Sequence, residues 1–466
     1  MKDKKSRAPA SVENIYKLDG RVPVAKAIPF GLQHVLAMFV ANVTPVMLIA
    51  GVAQYNGVAF TAIDTALLIQ AAMLIAGIGT LIQLYPVWRI GSRLPVVMGL
   101  SFTFLSAMMT LAARDYGLMV GAVIVGGCIE GLLGLTAKYW RRFVSPIVSA
   151  CVVTSIGFSL LSTGISSFAS SSVYPTGAWQ NLLVAVITLA ACLIYNSLAK
   201  GFWRQLYVLF GLIAGYIVSL FFGMVDFASM KNTVQELGIV ALPKLFAYTP
   251  KFDLGAIVSV TLVFLVSAAE TIGDTSAVCT GGLGREITEK EVSGSLGCDG
   301  FISAISGGVF GCPPITSFSQ NVGLVAMTKV VNRFTIMFGA LTLIIAGLFP
   351  PVGAFFSTLP DCVLGGCTVI MFGAIIVSGV TMLGECGFDQ RNTIIAATGF
   401  AIGIGVTQVP AFFSGMPQIV SDIFANNPVA GVFVVAMVLS LALPKKVKAE
   451  DIGAITEETM ESKKPE

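Results

Sequence analysis

Charge is scarce in this chain. Lys, Arg, Asp and Glu together make up 11% of its 466 residues, and there is one histidine. A soluble chain carries about 25% charged residues, so a globular fold with a water-facing surface is excluded. The nine cysteines, Cys128, Cys151, Cys192, Cys279, Cys298, Cys312, Cys362, Cys367 and Cys386, are scattered through mostly apolar stretches. No two of them form a CxxC pair, so zinc and redox work have no support, and they read as small buried hydrophobes. There is no HExxH motif, nucleophile elbow or metal-ligand cluster, which argues against a hydrolase or a metalloenzyme. No basic patch interleaves with aromatics, which excludes nucleic-acid binding. Residues 1–26 are polar and basic, with no short apolar core ending in a cleavage site, so no cleavable signal peptide is expected. The net charge of +3 resides in loops and says little about partners.

What the chain has in abundance is apolar sequence: 55% hydrophobic residues and a mean hydropathy of +0.86. Runs of about 20 apolar residues, enough to cross a bilayer, recur throughout. The expected fold is an all-α polytopic membrane protein of about fourteen spans. They lie near 29–52, 64–85, 93–112, 117–137, 143–165, 180–198, 205–224, 254–279, 292–309, 312–330, 333–350, 360–383, 391–410 and 418–443. The third and tenth are poor helices as wholes. Pro95, Gly99, Gly311, Pro313 and Pro314 interrupt them, and Ser101-Phe102-Thr103-Phe104 and Ser317-Phe318-Ser319-Gln320 read as strand-like.

Basic residues fall in alternate loops. One side holds the N-terminal tail, Arg89 and Arg93, Lys138, Arg141 and Arg142, Lys200 and Arg204, Arg285 and Lys290, Lys329 and Arg333, Arg391, and Lys445, Lys446 and Lys448. The loops 53–63, 166–179 and 411–417 have none, and Arg114 sits beside Asp115. Only the longer 225–253 loop, with Lys231, Lys244 and Lys251, departs, and long loops weigh less. This asymmetry places both termini in the cytoplasm and requires an even number of spans.

The two interrupted segments occupy the same place in each seven-span half. An odd number of spans per repeat makes the second half inverted. Interrupted segments at matched positions of inverted repeats point to a transporter's binding site, because irregular backbone survives at membrane depth only when buried in protein or lining a cavity.

Ionisable groups at membrane depth are the next candidates. Glu270 and Asp274 lie one helical turn apart on one face. Asp299 lies in Gly297-Cys298-Asp299-Gly300, and His34 stands early in the first span. Each can exchange protons or serve as an internal hydrogen-bonding group; Asp274 can equally satisfy backbone amides of the opposite broken span. Glu130 reads as a packing or interfacial residue.

Gln320-Asn321-Val322-Gly323, followed by Thr328-Lys329, resembles the signature of the nucleobase-ascorbate transporters, also called the nucleobase:cation symporter-2 family. Glu270-Thr271-Ile272-Gly273-Asp274 resembles that family's eighth-span motif, and Asp299 and His34 fall where the family places such residues. The resemblance runs from about His34 to Pro444. It implies seven-plus-seven inverted repeats with short antiparallel strands in the third and tenth segments. It implies a core domain of spans 1–4 and 8–11 (residues 27–142 and 251–352) and a gate domain of spans 5–7 and 12–14 (143–250 and 353–444), between cytoplasmic tails 1–26 and 445–466. It further implies a homodimer and an elevator-like motion of core against gate.

The residues suit a flat heterocycle with alternating N–H and C=O groups. Gln320 offers an acceptor and two donors on one planar amide. Glu270 can accept from two ring N–H groups, and Phe102 can stack on the ring. Backbone N–H groups at Phe318, Ser319 and the start of the following helix are left for an electron-rich oxygen. Asp299, Asp274, His34 and Asn321 are expected to support the site and the coupling ion. By resemblance, Gln at 320 with Asn at 321 implies xanthine or urate; uracil carriers have Glu at the first place and ascorbate carriers typically Pro. Ser101, small beside Phe102, leaves room for urate. The expected function is proton symport of xanthine or urate in a bacterial plasma membrane, with no cofactor and sodium the less favoured ion. A uracil or other nucleobase symporter is the nearer alternative, and an anion transporter or channel of the same fold the more distant one.

Overall fold

The computed structural model describes residues 11–140 and 145–444. The tail residues 1–10 and 445–466, with Arg141, Arg142, Lys445, Lys446 and Lys448, lie outside the described residues. The helices are α1 Val24–Ala50, α2 Ala62–Leu84, α3 Leu105–Arg114, α4 Tyr116–Leu135, α5 Ala137–Trp140, α6 Pro146–Phe168, α7 Trp179–Leu198, α8 Tyr207–Phe221 and α9 Phe227–Leu237. They continue with α10 Leu254–Ala277, α11 Glu289–Phe310, α12 Ser319–Thr328, α13 Arg333–Gly347, α14 Pro350–Phe356, α15 Asp361–Cys386, α16 Gln390–Gly403, α17 Gln418–Phe424 and α18 Pro428–Ala442. Two short antiparallel pairs complete the chain: β1 Gln54–Tyr55 with β2 Val58–Ala59, and β3 Met98–Leu100 with β4 Ile315–Ser317.

Local chemistry sets many of these boundaries. Thr61 with Asp64, and Thr288 with Glu291, form capping boxes that start α2 and α11. Proline occupies the first turn of α6, α14 and α18, where its missing N–H costs nothing. Gly311, at φ +65°, ends α11 in the left-handed conformation, and Pro313 and Pro314 prevent any continuation.

Eight helices are long and apolar enough to cross a membrane among the described residues, or ten if two bent pairs each count as one span. This is a coarser outcome than fourteen spans. The third expected span holds β3, a 3-10 turn and the ten-residue α3, and the tenth holds β4 and the ten-residue α12. The expected span 418–443 is broken between α17 and α18 by a 96° bend, where Asn427 caps α18 and Pro428 opens it. The strand register also corrects the sequence reading. Residues 102–104 form a 3-10 turn, and the strand before it is Met98–Leu100. Ser101 directly follows the first strand as Phe318 follows the second, so the two motifs match one residue out of step with their letters.

Two strands alone leave edges, and at membrane depth an unsatisfied N–H costs several kcal/mol. Side chains cover these edges. Met98 N–H donates to Thr80 Oγ1 at 2.9 Å and Leu100 N–H to Asn42 Oδ1 at 2.8 Å. Ile315 N–H donates to Ser303 Oγ at 3.0 Å and Ser317 N–H to Asp299 Oδ2 at 2.9 Å. The sheet is thus fixed from α1, α2 and α11. Helices α1, α2, α3, α4, α10, α11, α12 and α13 pack around it, while α6, α7, α8, α15, α16 and α18 pack on one another. The two groups meet along α10, α6 and α18, and α1 meets α8.

Candidate functional site

The site forms where the sheet ends. Phe318 is extended, and α12 begins at Ser319 with no side chain capping it. Its first N–H groups therefore face outward with the positive end of the helix. Opposite, Ser101 Oγ accepts from Thr103 N–H at 3.2 Å and starts the turn leading into α3. Between the two runs α10, carrying Glu270 and Asp274.

Glu270 bridges both half-helices. Thr103 Oγ1 donates to its Oε2 at 2.7 Å, and Ser319 Oγ lies 3.3 Å from its Oε1. Ser319 Oγ is also 2.9 Å from Asp274 Oδ2; with one proton to give, it serves one carboxylate at a time. Ser317 Oγ similarly reaches Asp274 Oδ2 and Thr271 Oγ1, each at 3.2 Å. Asp299 is fully buried behind this layer. It accepts from Thr271 Oγ1 at 2.6 Å, Ser317 N–H at 2.9 Å and Gln83 Nε2 at 3.1 Å. It therefore ties α2, α10 and β4 together.

Ser101, Phe102, Glu270, Phe318, Ser319 and Gln320 all line one pocket of about 90 Å³. It is flanked by a cavity of about 500 Å³ between α6, α10, α15 and α18, and by one of about 250 Å³ between α1, α8 and α15. Ser319 and Ser378 line all three. Gln320 is exposed to the space, and its amide makes no hydrogen bond with the described residues. Phe102 is buried with its ring edge-on to Phe372 of α15, centroids 5.7 Å apart. Among the described residues, no lysine or arginine lines any of the three cavities.

The other candidates stand back from the pocket. Asp274 lines the large cavity. His34 and Asn321 are buried side by side and interact with each other, away from the pocket. Sequence reasoning missed Thr103, Thr271, Ser317, Gln83 and Ser378. Gln83 carried a signal, one of two amides in the apolar run of α2, with Gln70. Ser378 carried none, because serines are common in such helices.

A model of the Xan_ur_permease family, described as a permease family, matches residues 25–412. The xanthine permease XanQ of Escherichia coli (strain K12) is 32% identical over 460 residues, covering 95% of this chain and 96% of its own. The chain belongs to the nucleobase-ascorbate transporter family. Membership makes it a multi-pass membrane permease and not an enzyme. Further relatives are the xanthine permease XanP of Escherichia coli (strain K12), 31% identical over 458 residues with 93% and 95% of the chains covered, and the xanthine permease of Bacillus subtilis (strain 168), 32% over 433 residues with 92% and 96% covered.

Among solved structures, the transmembrane domain of the cyanobacterial bicarbonate transporter BicA matches with a TM-score of 0.52 at 13% identity, covering 90% of this chain and 98% of that one. The murine Solute Carrier 26 family member A9 anion transporter matches with a TM-score of 0.59 at 12% identity, covering 98% and 74%. At such identities the likeness concerns the fold alone, so anion transport does not come with it.

Proposed function

We propose that the protein is a proton symporter that takes up xanthine or urate across a bacterial plasma membrane. The observation that carries this is the pocket itself. It combines the free amide of Gln320, the Glu270 carboxylate, the uncapped start of α12 and the aromatic rings of Phe102 and Phe318. A purine dione has matching parts: an N–H/C=O edge for the amide, N–H groups for the carboxylate, a carbonyl for the helix start and a flat face for a ring. The relatives named xanthine permeases support the same class. The described residues of the cavity walls include no lysine or arginine, which argues against an anion as substrate.

In this reading, residues 27–142 and 251–352 form a core that carries the pocket, and residues 143–250 and 353–444 a gate against which it slides as an elevator. The fourteen segments form seven-plus-seven inverted repeats, the assembly is a homodimer, and both termini face the cytoplasm. The separate packing of the two helix groups supports such a division. So does the large cavity, which reaches Pro146 at the start of α6 and Glu385 at the end of α15, on the cytoplasmic side by the loop charges. At the other end the groups are tied: Arg114 Nη1 donates to Asp422 Oδ1 at 3.2 Å, and Asn427 Nδ2 to Ser259 Oγ at 3.0 Å. Asp299, Asp274, His34 and Asn321 support the pocket from behind.

Uptake of labelled xanthine into proteoliposomes, competed by a panel of bases, tests the substrate. Xanthine and urate should compete, while uracil and bicarbonate should not. Competition by uracil alone would move the assignment to a pyrimidine, and a failure to accumulate labelled xanthine at all would end it.

Phe102 offers a separate check. Its T-shaped contact with Phe372 shows that it also packs against α15. Aromatic pairs add about 0.5–1.5 kcal/mol beyond burial. Phe102→Ala is therefore expected to weaken xanthine binding about three- to tenfold per folded molecule, while Phe102→Tyr largely preserves it. Loss of protein amount with unchanged binding per molecule would make Phe102 a packing residue only.

A further inference from the structure

Glu130 lies in the C-terminal third of α4, and the structure does not leave it at an interface. It is 1% exposed, and neither carboxyl oxygen has a hydrogen-bond partner among the described residues. The other buried acids are all served by donors. Asp299 accepts three hydrogen bonds, and hydroxyl groups reach both Glu270 and Asp274.

The packing around Glu130 excludes an easy remedy. One turn away, a Cβ on Gly127 would lie 2.7 Å from the Gly300 carbonyl of α11, so α4 and α11 touch backbone to backbone. On the other flank, a Cβ on Gly126 would lie 2.5 Å from the Phe264 ring of α10. Facing it electrostatically are Asp299 from α11 and Glu270 from α10, both acidic. The remaining neighbours of α4 are α3, β1 and the loop at Thr249 and Lys251, whose Lys251 Nζ donates to Asp115 Oδ2 at 2.7 Å. The charged residue of α3, Arg114, is engaged with Asp422, and Tyr55 of β1 accepts from the Thr249 N–H. Among the described residues no cation therefore offsets a charge on Glu130. A bare carboxylate without donors in such a place bears its whole desolvation cost. One proton removes the charge and supplies the missing O–H.

We propose that Glu130 is the site that takes up and releases the coupling proton. The assignment rests on the proton-symport reading above and deepens it. Proton binding converts the Glu130 carboxylate to the neutral acid. That removes one negative charge beside Glu270, which carries the substrate, and Asp299, which holds the sheet. Asp299, satisfied by fixed donors, then acts as a positioning residue.

The test uses the full-length protein in proteoliposomes, labelled xanthine, an imposed pH step and a sodium step in parallel. One proton per substrate supports about tenfold accumulation per pH unit. Wild type should show it, and Glu130→Gln should fall to an accumulation ratio of about 1 under the same pH step. A Glu130→Gln variant that still accumulates xanthine in proportion to the pH step overturns the assignment. Wild type that responds to sodium alone overturns the proton-symport reading beneath it, whatever the variant does. Because a substitution at so buried a place can impair folding, infrared difference spectra of the purified protein provide a second measurement. A protonated-carboxyl band present in wild type and lost in Glu130→Gln supports the assignment. A band unchanged by the substitution places the proton on another carboxyl and refutes it.

Discussion

Replacing Glu270 by glutamine is expected to abolish xanthine binding and uptake while leaving the protein folded. Glu270 is the one acid that faces the pocket and touches both half-helices, through Thr103 and Ser319. As a carboxylate it only accepts, so two ring N–H groups and two hydroxyls can all donate to it. A glutamine keeps one oxygen and turns the other position into a donor, which faces either a hydroxyl or a ring N–H. Hydrogen bonds to charged groups contribute about 1.5–3 kcal/mol each. Loss of one with mispairing of a second should weaken binding at least about 100-fold. The fold should tolerate the change, because Glu270 is only partly buried and Thr103 can still donate to the remaining oxygen. Asp299→Asn provides the contrast. Asp299 accepts from Thr271, Ser317 and Gln83, and an asparagine must aim an N–H at one of these donors. That variant should lower the melting temperature clearly, whereas Glu270→Gln should not. Equilibrium binding and thermal melting on both purified variants decide the matter; normal xanthine binding by Glu270→Gln would remove Glu270 from the site.

Much of this site is legible in the amino-acid sequence. The interruptions near Pro95 and Pro313 mark irregular backbone, and the only use for it at membrane depth is a buried or cavity-lining place. Six residues named from sequence, from Ser101 to Gln320, line one pocket. The register is not legible. Matching letters align Ser101 with Ser317, but strand pairing sets Leu100 opposite Ile315 and Met98 opposite Ser317. Side-chain identity does not reveal where the hydrogen-bond ladder stops. The break before Pro428 is visible as an Asn-Pro pair, yet the long apolar run around it conceals the bend.

Glu130 shows a different limit. Its neighbours are mostly glycines and small residues, so periodicity gives no polar face and no apolar face to place it on. Glycine at 127 and 131 allows backbone contact with α11, and that contact, not the residue's own chemistry, buries it. Asp299 is the converse case. Its chemistry suggests proton exchange, while its partners, the Ser317 N–H and the Gln83 amide, are those of a sheet-edge cap, and they come from elements far apart in sequence.

Replacing Gln320 by glutamate should cut xanthine uptake at least tenfold without loss of protein. Gln320 sits in the first turn of α12, exposed to the pocket, with its amide unbonded to the described residues. A negative charge in the first turn of a helix is favourable by about 0.3–1 kcal/mol, so the helix itself gains slightly. The effect on substrate runs the other way. The amide offers one oxygen and one N–H pair to a ring edge, and a carboxylate offers acceptors only. The ring carbonyl then meets an oxygen, and a mispaired buried polar group costs about 1–3 kcal/mol. Glu270 lines the same pocket, so a second carboxylate adds like-charge repulsion that the site has no lysine or arginine to offset. Stability and binding are thus expected to move in opposite directions, which separates a lost contact from a damaged fold. Xanthine uptake at wild-type rates, at equal surface amount, would show that the Gln320 amide does not read the base.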